Sequence, residues 1–220
     1  MFMHALFKNR AEAGRMLADR LKGNTAHDAV VLALPRGGVP VGAEIARALG
    51  LELDVMPVRK LGVPGQRELA MGAIAPGGAQ FVDREIMHSA HVSHAAFEKV
   101  LEEERVELAR RETHYREHRP PASVEGRTVI LVDDGMATGA TMRAALSALR
   151  QRNPAHVIVA LPVAPPGAES ELTDLADEFV CIAQPALFFS VGQHYDEFDQ
   201  TSDEEVRRLL VDANERMSDS

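Results

Sequence analysis

Short apolar runs alternate along the chain with segments that have helical hydrophobic spacing. The runs are continuous rather than alternating, which is typical of strands buried on both faces of a parallel sheet. We predict strands at residues 29–34, 53–58, 129–132, 156–161 and 179–182. We predict helices at residues 9–22 and 39–49, from Ala140, from Pro166, and at residues 203–216, the last capped by Thr201 or Ser202. Strands that alternate with helices indicate an α/β fold: a doubly wound, mainly parallel sheet with helices on both faces.

Residues 91–119 depart from this alternation. They are highly charged, contain no Gly or Pro, and are followed by Pro120 and Pro121. Four large side chains recur on one narrow stripe at helical spacing: Phe97, Leu101, Leu108 and Tyr115. We therefore predict a long helical insertion that packs by one thin face, with a role in capping a site or in a dimer contact as the alternative.

The composition limits the kinds of protein that this chain could be. The 220 residues are 45% hydrophobic and 26% charged, as in an ordinary globular protein, and we treat residues 1–220 as one domain. The formal net charge of −9 argues against general binding to nucleic acid or acidic membranes, although a local basic patch could exist. The single cysteine, Cys181, lies in an apolar run and is expected to be buried in a reducing compartment. No apolar run approaches the roughly 20 residues of a membrane span, so we expect a cytoplasmic protein.

Residues 129–141, VILVDDGMATGAT, carry the strongest chemical signal. An apolar strand ends in Asp133 and Asp134, and a turn rich in Gly and Thr leads into the next helix. Such a turn is an anion site, because its unpaired N–H groups converge, glycine lets the backbone approach the ligand, and the helix dipole favours negative charge. The two acids would repel a bare phosphate, so we expect them to face a sugar diol or hydrated Mg²⁺. The ligand indicated is a phosphorylated sugar.

Two other interpretations of this segment fit less well. In receiver domains the acids follow the first strand, near the start of the domain, and no G-x-x-T-G-x-T loop comes after them. A Walker-type loop needs a lysine directly after its last glycine, and no lysine follows Gly139.

This segment resembles the signature of the type I phosphoribosyltransferases, in which a strand, two acids and a G-x-x-T-G-x-T loop bind phosphoribosyl pyrophosphate. The resemblance implies that Asp133 and Asp134 are the catalytic acids, that they hold the ribose hydroxyls, and that they hold Mg²⁺ directly or indirectly. It implies that the loop binds the 5-phosphate through Ala137, Thr138, Gly139, Ala140 and Thr141.

The turns after the first two strands are the next candidates, because strand ends converge at one edge of a doubly wound sheet. By resemblance to the same family, Arg36, Gly37 and Gly38 would bind pyrophosphate, and this turn would contain a non-proline cis peptide. Arg59 or Lys60, of which we favour Lys60, would add a basic residue. Residues 59–73 would then form a flexible loop that closes over the site and excludes water.

The acceptor side is predicted at residues 183–202, a small C-terminal hood. The stretch around Phe188, Phe189, Val191 and Tyr195 resembles the base-binding segment of 6-oxopurine phosphoribosyltransferases, with aromatic rings that could stack on a planar base. The spacing from Gly192 to Tyr195 is shorter here, and the basic residue of those enzymes has no counterpart. Either phenylalanine could equally pack in the core.

Similarity to an uncharacterised bacterial branch of this family extends over nearly the full chain. It implies a Mg²⁺-dependent transferase that moves ribosyl 5-phosphate to a nitrogenous, nucleobase-like acceptor, as in nucleotide salvage, and that forms a homodimer. The alternative is a sensor or regulator that binds phosphoribosyl pyrophosphate or a nucleotide without turnover. Nucleic acid and membranes are not expected as partners. No His or Glu is marked as a general base by its position, and His194 is the one histidine worth testing.

Overall fold

The apolar runs form one parallel sheet in the computed structural model, which describes residues 5–23, 25–116 and 119–218. In chain order the strands are β1 (Val30–Ala33), β2 (Glu52–Val55), β3 (Arg59–Val63), β4 (Gln66–Ile74), β5 (Gln80–Val82), β6 (Thr128–Val132), β7 (His156–Val163) and β8 (Glu178–Ala183). The helices are α1 (Arg10–Leu21), α2 (Gly38–Leu49), α3 (Arg84–Ser89), α4 (His94–Arg116), α5 (Ala140–Arg150) and α6 (Asp203–Ser218).

The order of strands in the main sheet is β2-β1-β6-β7-β8, and each neighbouring pair is parallel. Val30 lies opposite Glu52 on one side and Val129 on the other. From β1 the chain first adds β2 on one side and later returns to build β6, β7 and β8 on the other. The carboxyl ends of β1 and β6 therefore lie at the topological switch point, where ligands bind in sheets of this kind.

Helices cover both faces of the sheet, as predicted. Alternate strand residues, among them Val31 and Ile130, face α1, α2 and α6, while their neighbours, among them Leu32 and Leu131, face α5. Every residue of β1 is at most 1% exposed. This burial on both faces is the physical reason why the strand sequences are continuously apolar.

Residues 59–73 do not form the predicted loop. They fold into β3 and β4, which with β5 make a three-stranded antiparallel sheet. A two-residue turn at Pro64 and Gly65 joins β3 to β4, and Gly65 has the positive φ of 82° that suits the third position of a type II turn. The loop prediction was wrong because glycines and charged residues interrupt the apolar runs by which strands are recognised in this segment.

Helix α4 is the predicted long helix, and its stripe packs as expected. It begins after Ser93, whose hydroxyl accepts a hydrogen bond from the Ala96 N–H. Phe97, Leu101 and Leu108 pack on the antiparallel sheet, while Tyr115 reaches the core of the main sheet. The predicted helix extended to residue 119; residues 117 and 118 lie outside the described residues.

A buried ion pair fixes the end of α4 to the edge strand β2. The Arg116 guanidinium donates to Asp54 at 2.9 and 3.1 Å and to the Val55 carbonyl at 2.7 Å. Asp54 also accepts from the Ala122 N–H at 2.9 Å. The carboxylate and guanidinium are therefore satisfied by several partners, which such a buried pair requires.

The helix predicted from Pro166 is absent. The segment consists of turns, with hydrogen bonds from Leu172 N to Glu169 O and from Leu175 N to Leu172 O. Gly167 has a φ of 87°, outside the helical region, which prevents a regular start. Helix α6 is present and is capped by Ser202, which accepts from the Glu205 N–H. Within the described ranges, no helix combines the length and apolar character needed to cross a bilayer.

Candidate active site at the carboxyl edge of the sheet

The turn after β1 and the acids after β6 are in direct contact. The Leu34 N–H donates to the Val132 carbonyl at 2.8 Å, which holds the two strand ends together. A Cβ added to Gly37 would lie 2.0 Å from Asp134 Oδ2, and one on Gly38 would lie 2.7 Å from the Val132 carbonyl oxygen. At either position an added Cβ would be too close to an atom of residues 132–134, so the turn after β1 and the acid pair form one surface.

The peptide between Pro35 and Arg36 is cis, which confirms the non-proline cis peptide implied for this turn. Arg36 is partly exposed, and its Nη1 lies 3.7 Å from Asp203 Oδ1, at the start of α6. Asp203 also accepts from the Tyr115 hydroxyl at 2.9 Å. The Arg36 side chain therefore lies between the β1 turn and the first turn of α6.

Asp133 and Asp134 form a closely coupled acidic pair. The Asp134 N–H donates to Asp133 Oδ1 at 2.9 Å. Burial, followed by the neighbouring carboxylate of Asp134, raises the pKa of Asp133 well above its ordinary value. Burial also raises the pKa of Asp134, although hydrogen bonding to Arg10 opposes that shift. A pair in this state favours ligands that bring hydroxyl donors or positive charge.

Arg10 is a residue of this site that sequence reasoning missed. Its Nε donates to Asp134 Oδ2 at 2.8 Å, and its Nη1 donates to the Asp199 carbonyl at 2.7 Å. Its guanidinium carbon lies 3.9 Å from the centre of the Phe198 ring. Arg10 and Asp134 are 124 positions apart in the chain, and no local pattern marks an arginine in the first turn of an amphipathic helix as functional.

The predicted phosphate loop precedes α5 and is open to solvent. Ala137 and Thr138 are exposed, and Thr141 is partly buried. Gly139 has a φ of 70° and precedes the first helical residue, Ala140, and no side chain caps this helix start. The N–H groups of the first turn therefore have no intrahelical acceptor and can bind an anion.

The two basic residues that begin β3 have different surroundings. Arg59 is paired with Glu104 of α4, with its Nε and Nη2 each 2.6 Å from Oε2. Lys60 is exposed on the antiparallel sheet. The Arg59 charge is therefore engaged within the protein, whereas the Lys60 ammonium faces solvent.

The predicted acceptor residues divide into exposed and buried groups. Phe189 is 80% exposed, whereas Phe188 is partly buried, with its ring 5.2 Å from that of His194. The Val191 side chain approaches Gly135, where an added Cβ would lie 2.6 Å from Val191 Cγ1. The segment thus lies directly beside the acid-containing loop.

Tyr195 is buried rather than open to a ligand. Its ring stacks on Phe198 at 5.0 Å and contacts Phe7 at 5.2 Å. Its hydroxyl donates to the Asp134 carbonyl at 2.6 Å, and burial raises its pKa above the ordinary value. Because its ring packs against Phe7 and Phe198, the expected stacking of Tyr195 on a base does not fit this structure; its hydroxyl supports Asp134 instead. His194 is also buried, which lowers its pKa and favours the neutral ring.

Comparisons with known proteins agree on one family. A model of the phosphoribosyl transferase domain matches residues 4–197. Two Mycobacterium tuberculosis proteins, from strains CDC 1551 and H37Rv and both named "Putative phosphoribosyl transferase", are each 45% identical to the chain over 205 residues. These matches cover 93% of the chain and 46% of each relative, so the chain spans about half the length of the curated relatives it matches.

The structural comparison finds a solved protein with the same fold. The crystal structure of protein TT1426 from Thermus thermophilus matches with a TM-score of 0.80 and 42% sequence identity. The match covers 94% of this chain and 98% of that one. The agreement in fold therefore extends over almost the whole length of both chains.

Proposed function

The chain belongs to the phosphoribosyl transferase family, and we propose that it transfers ribosyl 5-phosphate from phosphoribosyl pyrophosphate to a nitrogen atom of a nucleobase-like acceptor. Pyrophosphate is the second product. The observation that carries this proposal is the direct contact between the Gly37 backbone and the Asp134 carboxylate at the switch point of the sheet. A ligand with a diol beside a pyrophosphate would contact both groups at once.

Each part of the donor then has a binding group of matching chemistry. Asp133 and Asp134 accept hydrogen bonds from the ribose hydroxyls. The uncapped start of α5, residues 137–141, binds the 5-phosphate through backbone N–H groups. Arg36 and the backbone of Gly37 and Gly38 bind the pyrophosphate, because a guanidinium forks onto phosphate oxygens. Lys60 contributes from the antiparallel sheet, and Arg59 would do so only if its bond to Glu104 opened.

Catalysis in this proposal is mainly positioning and electrostatics. The bond between ribose C1 and the pyrophosphate oxygen breaks, the pyrophosphate keeps the electron pair, and the acceptor nitrogen forms the new bond to C1. Carboxylates at the ribose hydroxyls place negative charge near the carbon that becomes positive. Because water would intercept that carbon, the site must be covered during reaction. His194 is not assigned as a base, because its ring is buried and its pKa is lowered. The acceptor nitrogen loses its proton to solvent after the new bond has formed and the site has reopened.

Mg²⁺ fits this site as an ion carried by the substrate. Within the described part of the chain, no cluster of three or more His, Cys, Asp or Glu side chains could hold a metal ion by itself. The donor set near the ligand is Asp133 and Asp134, and Mg²⁺ commonly combines one or two carboxylates with waters and phosphate oxygens. When bound, the ion would neutralise charge on the departing pyrophosphate.

The acceptor would bind between the acid-containing loop and the hood. We propose that Phe189, which is largely exposed, and the edge of Phe188 contact the face of the base, with Val191 packing below. Tyr195 acts indirectly in this arrangement, by holding the Asp134 backbone.

The test is pyrophosphate release from phosphoribosyl pyrophosphate with Mg²⁺ and a pool of purine and pyrimidine bases. The parent protein is compared with the Asp133→Asn/Asp134→Asn double variant and with Asp19→Asn, which alters a carboxylate whose side chain is 70% exposed. We expect base-dependent release in the parent and in Asp19→Asn, and a loss of about a hundredfold or more in the double variant. Splitting the pool then identifies the acceptor.

Two other outcomes would contradict the proposal. Equal release by the double variant would show that the acids are not the site. Binding of phosphoribosyl pyrophosphate with no release of pyrophosphate in the presence of any base would show a protein that binds the donor without turnover.

A further inference from the structure

We propose that Arg10 is a positioning residue that joins the ribose-binding carboxylate of Asp134 to residues 195–203, here called the strap. The strap comprises the last residues of the hood and the first residue of α6. The proposal rests on the proposed function for the role of Asp134, but the contacts that carry it are independent of any ligand. Its consequence is that the ribose side and the acceptor side of the site are held as one unit.

The contacts of Arg10 are shared between the two sides. Its Nε is bonded to Asp134 Oδ2, while its Nη1 is bonded to the Asp199 carbonyl in the strap. Phe198, also in the strap, lies against the guanidinium. The Arg10 side chain is only 12% exposed. A largely buried arginine side chain with a carboxylate, a carbonyl and an aromatic ring as partners is held in one geometry.

The strap also holds Asp134 by its backbone. The Tyr195 hydroxyl donates to the Asp134 carbonyl, and the Tyr195 ring stacks on Phe198. Arg10, Phe198, Tyr195 and Asp134 therefore form a closed ring of contacts, in which each residue touches the next and Asp134 is bonded back to Arg10. Loss of Arg10 removes a side chain that contacts both the Asp134 carboxylate and the strap.

The three contacts of Arg10, with Asp134, the Asp199 carbonyl and the Phe198 ring, require an arginine rather than any cation. A planar fork can bond two acceptors in different directions while its face lies on an aromatic ring, whereas a lysine ammonium can do only part of this. Arg15, five residues further along α1, provides a contrast: its side chain is 54% exposed and lies 3.7 Å from Glu44. Arg15→Ala is therefore a control on the same helix.

The experiment compares the parent protein with Arg10→Ala, Arg10→Lys and Arg15→Ala by two measurements. Amide hydrogen exchange of peptides that cover the strap is followed without ligand. The dissociation constant of phosphoribosyl pyrophosphate with Mg²⁺ is then measured by calorimetry. We expect about tenfold faster exchange and about tenfold weaker binding in Arg10→Ala, partial recovery of both in Arg10→Lys, and parent values in Arg15→Ala.

The two measurements separate the two proposals. If strap exchange in Arg10→Ala equals that in Arg15→Ala, the role of Arg10 is overturned, whatever the ligand does. If the parent protein fails to bind phosphoribosyl pyrophosphate, the proposed function fails, and the exchange data alone decide whether Arg10 ties the strap. If binding weakens in Arg10→Lys as much as in Arg10→Ala, a specific positioning role is also overturned.

Discussion

Replacing Gly37 with alanine is predicted to damage ligand binding far more than stability. The φ of Gly37 is −61°, so alanine can adopt its backbone conformation and the effect is purely steric. The new Cβ would lie 2.0 Å from Asp134 Oδ2 and 2.6 Å from its Cγ, where ordinary contact begins at 3.4 Å. The carboxylate must therefore move by about 1.4 Å, which also breaks its 2.8 Å bond to Arg10.

The loss of stability should be small and the loss of affinity large, because the group that Gly37→Ala displaces is a side chain and not the backbone. We expect a loss of about 1 kcal/mol in the free energy of unfolding, at the low end for overpacking. A misplacement of about 1 Å at a ligand-binding group can cost about a hundredfold in function. Gly72→Ala is the matched control, because its Cβ would lie 2.4 Å from the backbone oxygen of Phe81, in the antiparallel sheet. We expect that variant to lose about 2–3 kcal/mol of stability with little change in affinity.

The assay pairs urea denaturation with calorimetric titration of phosphoribosyl pyrophosphate in the presence of Mg²⁺. The prediction is a reversed order of effects: Gly37→Ala is the more severe for binding and Gly72→Ala the more severe for stability. Parent-like affinity in Gly37→Ala would refute the reasoning, since the clash would then not reach a group that contacts the ligand. Equal loss of affinity in both variants would refute it too.

Two further predictions concern charge. Asp133→Asn should raise the free energy of unfolding at pH 7, whereas Asp19→Asn should not. Burial raises the pKa of Asp133 in the folded protein, so the native protein loses stability as pH rises from the unfolded pKa of this carboxyl through its folded pKa. Asparagine does not ionise and therefore removes that loss. Denaturation at several pH values should show the gain shrinking as pH falls towards about 4, the ordinary pKa of an aspartate, and a constant or absent gain would contradict this. Arg116→Ala should destabilise by about 3–5 kcal/mol because it leaves Asp54 buried without its guanidinium partner. Arg110→Ala, on the exposed face of the same helix, should leave the urea midpoint unchanged. Similar losses of stability in Arg116→Ala and Arg110→Ala would show that the buried pair of Arg116 with Asp54 contributes no more than an exposed pair.

The features predicted correctly from sequence are those encoded by neighbouring residues. The parallel strands follow from continuous apolar runs, and the stripe on α4 follows from helical spacing of large side chains. The strand, acid pair and loop at residues 129–141 lie within one β–loop–α unit, so their order along the chain already implies their order in space. The errors at residues 59–73 and after Pro166 arose where glycine and proline weaken both patterns, and where packing against α4 or a series of turns decides the local structure.

The sequence by itself determined that this protein has a doubly wound sheet with an acid pair and a loop rich in Gly and Thr at one strand end. Only the tertiary structure decided which distant residues complete that edge. The contact of Gly37 with Asp134 depends on β1 and β6 becoming neighbours, which is a property of sheet order. Arg10 and Tyr195 reach Asp134 from opposite ends of the chain, and Asp203 joins Arg36 to Tyr115. Such contacts leave no periodic trace in the sequence, because hydrogen bonds between remote side chains depend on the geometry of the fold and not on spacing along the chain.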